Sequence, residues 1–271
     1  MIENTLIGFI GGGNMTEAIL KGLLADGAIK ADRILIAETL ASRREFLASA
    51  YSVALKDNGR DIVSQTDVII LAIKPQMAGA VLTDLAQVLT SDKLIISIMA
   101  GVTTSFIESH LSRNHRVIRV MPNTAALIQE AATVICPGSS ANETDMQTAC
   151  EIFSNIGTVI TTSEKMMDAV TGLSGSGPAY VFSFIEALSD AGVKNGLTRD
   201  ISLKLSVQTV LGAARMISET GEHPAILKEK VASPGGTTIA GLHTLENGRF
   251  HGLIMDAVDS ATIRSKELSE K

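Results

Sequence analysis

Three glycines in a row, Gly11, Gly12 and Gly13, stand between an apolar run and a helical pattern in GFIGGGNMTEAI. Glycine at such a turn lets the backbone approach a pyrophosphate, which then rests on the N–H groups that open the helix. Gly8, Ile10, Asn14 and Met15 frame the same strand–turn–helix unit and join it as dinucleotide-binding candidates. Gly11 and Gly13 fit the first two glycines of a GxGxxG fingerprint. Its last position is Thr16, where glycine or alanine usually allows close helix packing. Glu38 closes the next apolar run, where a carboxylate can bind the ribose hydroxyls of NAD. Ser42, Arg43 and Arg44 follow and can hold the 2′-phosphate of NADP. The balance leans to NADP as cofactor, with NAD also open.

Four further segments carry chemistry. In AIKPQ (Ala72–Gln76) Pro75 stops a buried strand, and Lys74 can reach phosphate or ribose oxygens. In IMAGVTT, Ala100 and Gly101 leave room for a flat ring. TGLSGSGPAYVF puts Gly175, Ser176 and Gly177 just before Pro178, which suits an early helical position. Such small residues serve tight helix packing or close contact with a ligand, and both readings stand. In VASPGGTTIAGLH, Ser233-Pro234-Gly235-Gly236 makes a turn and Thr237-Thr238 open a helix. Backbone N–H groups and three hydroxyls then surround one small concavity, either an N-cap or a seat for a carboxylate.

The elements that must position these segments follow from the apolar spacing. Leu6–Ile10, Arg33–Ala37, Val68–Ile73, Leu94–Ile98 and Arg116–Met121 read as strands, with a short run at Val53–Leu55. Helical patterns at Asn14–Ala25, Ala41–Ser49, Met77–Leu89 and near Thr104–Leu111 fall between them. DVIILAI and KLIISIM are apolar on both faces, as a sheet covered on both sides requires. This alternation predicts an α/β, Rossmann-type doubly wound parallel sheet. Ala132–Cys136 and Thr158–Thr162 add two edge strands around a helix at Glu143–Phe153. Beyond Thr162 only helical patterns remain, at Ala179–Asn195, Arg199–Thr220, His223–Ala232 and after Ser233. A dinucleotide-binding domain over residues 1–162 and an all-helical domain over 163–271 are therefore expected. The helix holding Leu203, Leu205, Val207, Val210, Leu211, Met216 and Ile217 is apolar on more than one face. Burial against a second subunit satisfies that pattern, and so does a bundle against the sheet.

Composition excludes other classes. A net charge of −6 argues against nucleic acid or an anionic membrane as partner. Cys136 and Cys150 lack CxxC spacing and suit a reduced, cytoplasmic chain. The five histidines form no HExxH or HxH cluster, so no metal site is expected. No basic region precedes an apolar stretch at the start, and no run reaches the roughly 18–20 apolar residues of a membrane span.

GFIGGGNM, LAIKPQ, TGLSGSGPAYVF and VASPGGTTIAGLH, with RVMPNTAALI (Arg119–Ile128) between them, resemble the pyrroline-5-carboxylate reductase family over nearly the whole chain. The resemblance implies reduction of the C=N bond of 1-pyrroline-5-carboxylate to L-proline by NAD(P)H, the last step of proline biosynthesis. It implies a Rossmann domain, a helical domain interlocked with a partner's as a dimer, and larger rings such as a decamer. The site would lie between the cofactor of one subunit and helices of both. Carried onto this chain, it gives Asn58 and Asn123 to the cofactor and Ser176, Ser233, Gly235, Gly236 and Thr237 to the substrate. Thr238 would be the catalytic proton donor, since no histidine, lysine or acid sits in these motifs. The chain departs from the family at Ala125, where proline is frequent, in the KDNGRD segment around Asn58, and at Lys230. Two alternatives are weighed against this reading. A β-hydroxyacid dehydrogenase would need a lysine in a glycine-rich helical motif, whereas Lys194, Lys204, Lys228 and Lys230 stand on mixed helix faces. A non-catalytic dinucleotide sensor would not need SPGGTT.

Overall fold

The apolar runs of the first 161 residues pair into one sheet. In the computed structural model, which describes residues 2–25, 27–111 and 114–269, these are β1 (Ile7–Ile10), β2 (Ile34–Ala37), β3 (Ala54–Lys56) and β4 (Val68–Leu71), followed by β5 (Leu94–Ser97), β6 (Arg116–Met121), β7 (Ala131–Pro137) and β8 (Gly157–Thr161). Their order is β3-β2-β1-β4-β5-β6-β7-β8. All neighbours are parallel except β6 and β7. Only residues 122–130 join that pair, fewer than the dozen or so a parallel crossover needs, so the chain turns straight back. This antiparallel step was not legible in the strand patterns.

The helices α1 (Asn14–Ala25), α2 (Ala41–Tyr51), α3 (Arg60–Val63), α4 (Ala78–Leu85), α5 (Thr104–His110) and α6 (Glu143–Ser154) cover the sheet. Alternate strand residues feed two separate cores. Val68, Ile70, Leu94 and Ile96 pack with Leu20 and Phe153 on one face. Ile69, Leu71 and Ile95 pack with Leu82 and Ile107 on the other. Each such side chain, fully buried, stabilises the fold by about 1.5–3 kcal/mol. Local signals set the helix starts. The Thr103 hydroxyl accepts the Phe106 N–H at 3.1 Å to cap α5. Asn142 and Asp145 form a reciprocal capping box on α6. The helix expected at Met77–Leu89 is α-helical only over α4 and finishes in turns, with the Val88 and Leu89 N–H groups both donating to the Leu85 carbonyl.

Register decides where the functional loops emerge. Ile10 pairs with both Ala37 and Leu71, and Leu71 pairs with Ser97. Gly11, Glu38, Ala72 and Ile98 thus leave the sheet at one level, and β1 and β4 flank the point where the strand order reverses. Ligands of open α/β sheets bind at such a switch point.

The chain divides into two compact units, residues 1–176 with 260–271, and residues 177–259. The first also contains α7 (Met167–Val170) and a π-helical turn at Thr171–Gly175. The second holds α8 (Gly177–Lys194), α9 (Arg199–Thr220), α10 (Pro224–Val231), α11 (Thr237–Asn247) and the first half of α12 (Phe250–Ser269). α8 and α9 approach closely through small residues, and the Ser202 hydroxyl donates to the Ser189 carbonyl at 2.6 Å. Among the described residues of this unit only Ser189, Ser202 and Ser206 are buried, while Phe182 and Met255 are 65% and 66% exposed. Its helices therefore pack without an apolar core of their own.

Candidate active site

The glycine loop is held by contacts that allow no side chain at two of its three positions. Gly11 has φ +103°, and a Cβ there would lie 2.5 Å from the Ala72 carbonyl oxygen. Its N–H donates to the Ala37 carbonyl at 2.8 Å. A Cβ on Gly12 would lie 2.8 Å from the Leu47 methyl. At Gly13 a Cβ would meet nothing within 4 Å, so this glycine faces open space at the start of α1. Thr16, in place of the usual small residue, is fully buried and its hydroxyl donates to the Gly11 carbonyl at 2.7 Å. That bond ties the first turn of α1 to the loop it follows. Asn14 opens α1 and is exposed, whereas Met15 is half-buried.

A cavity of about 500 Å³ runs from this loop across the ends of β2 and β4. Its wall includes Ile10, Gly11, Gly13, Glu38, Ala72 and Lys74, all expected from the sequence. Glu38 is anchored inward, with Oε2 accepting the Gly12 N–H and Oε1 the Leu40 N–H, each at 2.9 Å. Burial alone would push its pKa up, but these backbone donors outweigh it and hold the carboxyl below the usual range. Arg43 does not face the cavity. Its Nε donates to the Gly12 carbonyl at 2.6 Å and its terminal nitrogen to Glu17 at 2.7 Å. Arg44 donates to the carbonyls of Glu38 and Thr39 at 2.7 and 2.8 Å. Asn58 turns away as well, its Oδ1 accepting the Arg60 N–H at 2.9 Å. Its neighbours Asp57 and Gly59 line the wall instead. Pro75 opens the turn after Lys74 that leads into α4.

A second cavity, about 300 Å³, meets the first at Ala72 and Ile73 and continues past Met15 and Ile98 to Asn123 and Gly175. Asn123 is fixed at both ends of its amide. Oδ1 accepts the Ala125 N–H at 3.2 Å, and Nδ2 donates to the Ser174 carbonyl at 3.1 Å. A proline at position 125 would lack the first of these donors, so Ala125 adds a hydrogen bond to this turn. Ala100 and Gly101, in the turn after β5, are not among the residues that line these two cavities. Gly101 has φ +74°, and a Cβ there would lie 3.4 Å from that of Leu268. Gly8 sits mid-strand, where a Cβ would press on Thr66 at 2.9 Å. Its role is to admit the end of α3 to the sheet.

In the helical unit, Ser233–Gly236 forms a turn closed by the Gly236 N–H on the Ser233 carbonyl at 3.1 Å. Gly235 has φ +67°, so the Pro-Gly pair follows a type II pattern. Thr237 and Thr238 occupy the first turn of α11, which no side chain caps. Gly235 and Gly236 also border a cavity of about 640 Å³ with Ile239, His243, Lys228 and Glu246. An uncapped helix start presents free N–H groups and positive potential to an anion. Lys230, the departure noted nearby, donates to Glu222 at 2.7 Å and leaves the turn alone. Ser176 belongs to the other unit, where its N–H closes the π-helical turn on Thr171 at 2.9 Å.

The sequence left open whether Asn58 or a neighbour faces the cofactor, and it is the neighbours Asp57 and Gly59 that line the crevice; Pro122 and Thr124, just beyond the end of β6, were missed. Sequence reasoning also missed a cluster around Glu164. This carboxylate pairs with the fully buried Arg119 and accepts from the Thr104 N–H at 3.3 Å and the Cys136 thiol at 3.4 Å. Burial, reinforced by Glu164, pushes the Cys136 thiol up to about 12. The only signal was Arg119 itself, an arginine with apolar neighbours on both sides within β6.

Residues 164–268 match the family described as pyrroline-5-carboxylate reductase dimerisation, and residues 6–101 match one described as NADP oxidoreductase, coenzyme F420-dependent. A pyrroline-5-carboxylate reductase of Glycine max is 46% identical over 98% of this chain and 97% of its own. One of Methanosarcina acetivorans is 46% identical over the full length of both. Among solved structures, a pyrroline-5-carboxylate reductase of Coxiella burnetii superposes with TM-score 0.93 at 37% identity, covering 98% of this chain and 99% of its own. A pyrroline carboxylate reductase of Plasmodium falciparum, solved with NADP bound, gives TM-score 0.89 at 34% identity over the same shares. With relatives this similar from end to end, the chain belongs to the pyrroline-5-carboxylate reductase family.

Proposed function

We propose that this chain reduces the C=N bond of 1-pyrroline-5-carboxylate to give L-proline, the last step of proline biosynthesis, with NADP(H) in the crevice and NAD(H) also accepted. The observation that carries the reading is the 46% identity to reductases of this name along the whole chain. The residues present fit a dinucleotide: Gly11 brings the backbone in, and Gly13 leaves open space where a side chain would block a pyrophosphate. When bound, the reduced nicotinamide supplies the hydride that goes to the imine carbon.

The remaining work falls to this chain's own groups. The N–H groups of Gly236, Thr237 and Thr238 and the Ser233 hydroxyl hold the substrate carboxylate, on the turn that Gly235 permits. Ser176 is assigned to the same substrate, and Asn123 to the nicotinamide end of the crevice. Thr238 gives its hydroxyl proton to the imine nitrogen and regains one from water, so hydride plus proton convert C=N to CH–NH. A neutral hydroxyl is a weak acid, so positioning and exclusion of water carry most of the rate. The apolar surface of the helical unit supports self-association through it, as a dimer and, by assembly of dimers, a decamer. No helix among the described residues is long and apolar enough to cross a membrane. Two free cysteines support a cytoplasmic location.

The test is oxidation of NADPH and, separately, NADH by the purified protein with pyrroline-5-carboxylate. Rapid turnover with either supports the reading. Coenzyme binding without turnover moves the assignment to another imine or to a sensor.

A further inference from the structure

We infer that Asn123 is a positioning residue for the substrate: its side-chain amide supplies the donor that Pro178 lacks and so fixes Ser174–Ser176 at the wall of the smaller cavity. The inference rests on the proposed function, which assigns Ser176 to the imino acid. Residues Thr171–Gly175 form a π-helical turn, closed by the Ser176 N–H on the Thr171 carbonyl at 2.9 Å. In an α-helix the Ser174 carbonyl would accept the N–H of the residue four positions on. That residue is Pro178, which has none. The Asn123 Nδ2 takes its place and donates to the Ser174 carbonyl at 3.1 Å.

The other end of the amide is set by the Ala125 N–H, which Oδ1 accepts at 3.2 Å. A flipped amide would put donor against donor and acceptor against acceptor, so the two backbone partners allow one orientation. Alternate residues before Asn123 hold the same segment. Arg119 pairs with Glu164, and a Cβ on Gly175 would lie 2.7 Å from the Met121 methyl. Met121, Asn123 and Gly175 all line the cavity of about 300 Å³. The loop that leaves β6 thus grips the π-helical turn directly at the cavity wall, and turns of this kind recur at functional sites. Without the Asn123 donor the half-buried Ser174 loses a partner for its carbonyl, and the turn that carries Ser176 is released from that wall.

Asn123→Asp and Asn123→Ser test this. Both keep an oxygen for the Ala125 N–H; the aspartate has no donor, and the serine is too short to reach Ser174. At saturating NADPH the KM for pyrroline-5-carboxylate should rise about tenfold in each, the size of one lost hydrogen bond to a group left unpaired. The NADPH Kd of the Ser variant, by fluorescence titration, should stay within about threefold of wild type, since the amide acts through Ser174 rather than on the coenzyme. Hydrogen exchange of a peptide covering Ser174–Gly177 should quicken in both variants without substrate, while β1 peptides keep the wild-type rate. The two variants differ in charge, so a fold lost to the Asp carboxylate leaves Ser to decide. A coenzyme Kd that rises as much as KM puts the amide on the nicotinamide itself and overturns the role. An unchanged KM, or unchanged exchange at Ser174–Gly177, overturns it too. A wild type that binds NADPH without turning over the imino acid overturns the proposed function and this role with it, whereas turnover by wild type and variants alike overturns this role alone.

Discussion

The Thr16 hydroxyl donates to the Gly11 carbonyl at 2.7 Å, across the turn that joins β1 to α1. Thr16 is fully buried, while the bond and the half-buried Gly11 it reaches lie at the edge of the crevice. A Thr16→Val substitution keeps the shape and removes the donor. It should lower stability by about 0.5–1.5 kcal/mol in urea denaturation, the net contribution of one intramolecular hydrogen bond. Dinucleotide binding should weaken with it, because the same bond sets the loop's position. A Val variant with wild-type stability would mean that the carbonyl finds another donor.

Gly11 and Gly13 should respond to alanine in opposite ways. At Gly11 the positive φ and the Ala72 carbonyl forbid a Cβ, so Gly11→Ala should destabilise the fold by more than about 2 kcal/mol. At Gly13 nothing lies within 4 Å of the added methyl. Gly13→Ala should keep stability within about 0.5 kcal/mol of wild type. Its NADPH dissociation constant should nevertheless rise at least about tenfold, because the methyl enters the space assigned to the pyrophosphate. Paired thermal melts and fluorescence titrations separate the two effects.

Thr238→Ala should reduce kcat by about one to three decades, the range of a positioned acid–base group or slightly below. Ser233→Ala should act mainly on KM for the imino acid, since its hydroxyl is assigned to the carboxylate. Steady-state kinetics on both variants distinguishes these roles. A kcat unchanged in Thr238→Ala removes that hydroxyl from the reaction.

Glu17 and Tyr51 form a titrating pair on α1 and α2. Burial alone would raise the Glu17 pKa, but hydrogen bonds from Arg43, Tyr51 and Lys21 outweigh it and lower the value. A carboxyl depressed in the folded state contributes stability above its unfolded pKa, near 4.3, and loses it as pH falls through the folded value. Stability should therefore fall less steeply on acidification below about pH 5 in Glu17→Gln than in wild type. At the other end, burial and then Glu17 push the Tyr51 phenol up to about 12. Ultraviolet titration should show the Tyr51 phenol ionising well above the usual tyrosine value near 10.

The helical unit should associate through its exposed apolar residues. Phe182→Asp and Met255→Asp would place a charge on that surface, which is 65% and 66% exposed at these positions. Analytical ultracentrifugation should then show a smaller species than wild type at equal concentration, since a charge buried at an interface is costly. Unchanged sedimentation in both variants would place the contact elsewhere.

What the sequence alone determined is local. The glycine loop, Lys74-Pro75 and the Ser233–Gly236 turn were legible because glycine and proline restrict or release φ within a few residues. The sheet's parallel half was legible because runs such as VIIL are apolar on both faces, a pattern that only a doubly covered strand explains. The tertiary structure decided everything that joins distant residues. Glu38 reaches Gly12 across 26 positions and Arg43 reaches it across 31, so an arginine that looked free for a phosphate is spent on the loop. Asn58 left the crevice for a similar reason: side-chain direction depends on what packs alongside, which spacing does not encode. Arg119 and Glu164, 45 positions apart, meet only because β6 and the turn before α7 are folded together. A periodic pattern records which face of an element is apolar; which charged group ends beside which carbonyl is set by register and packing.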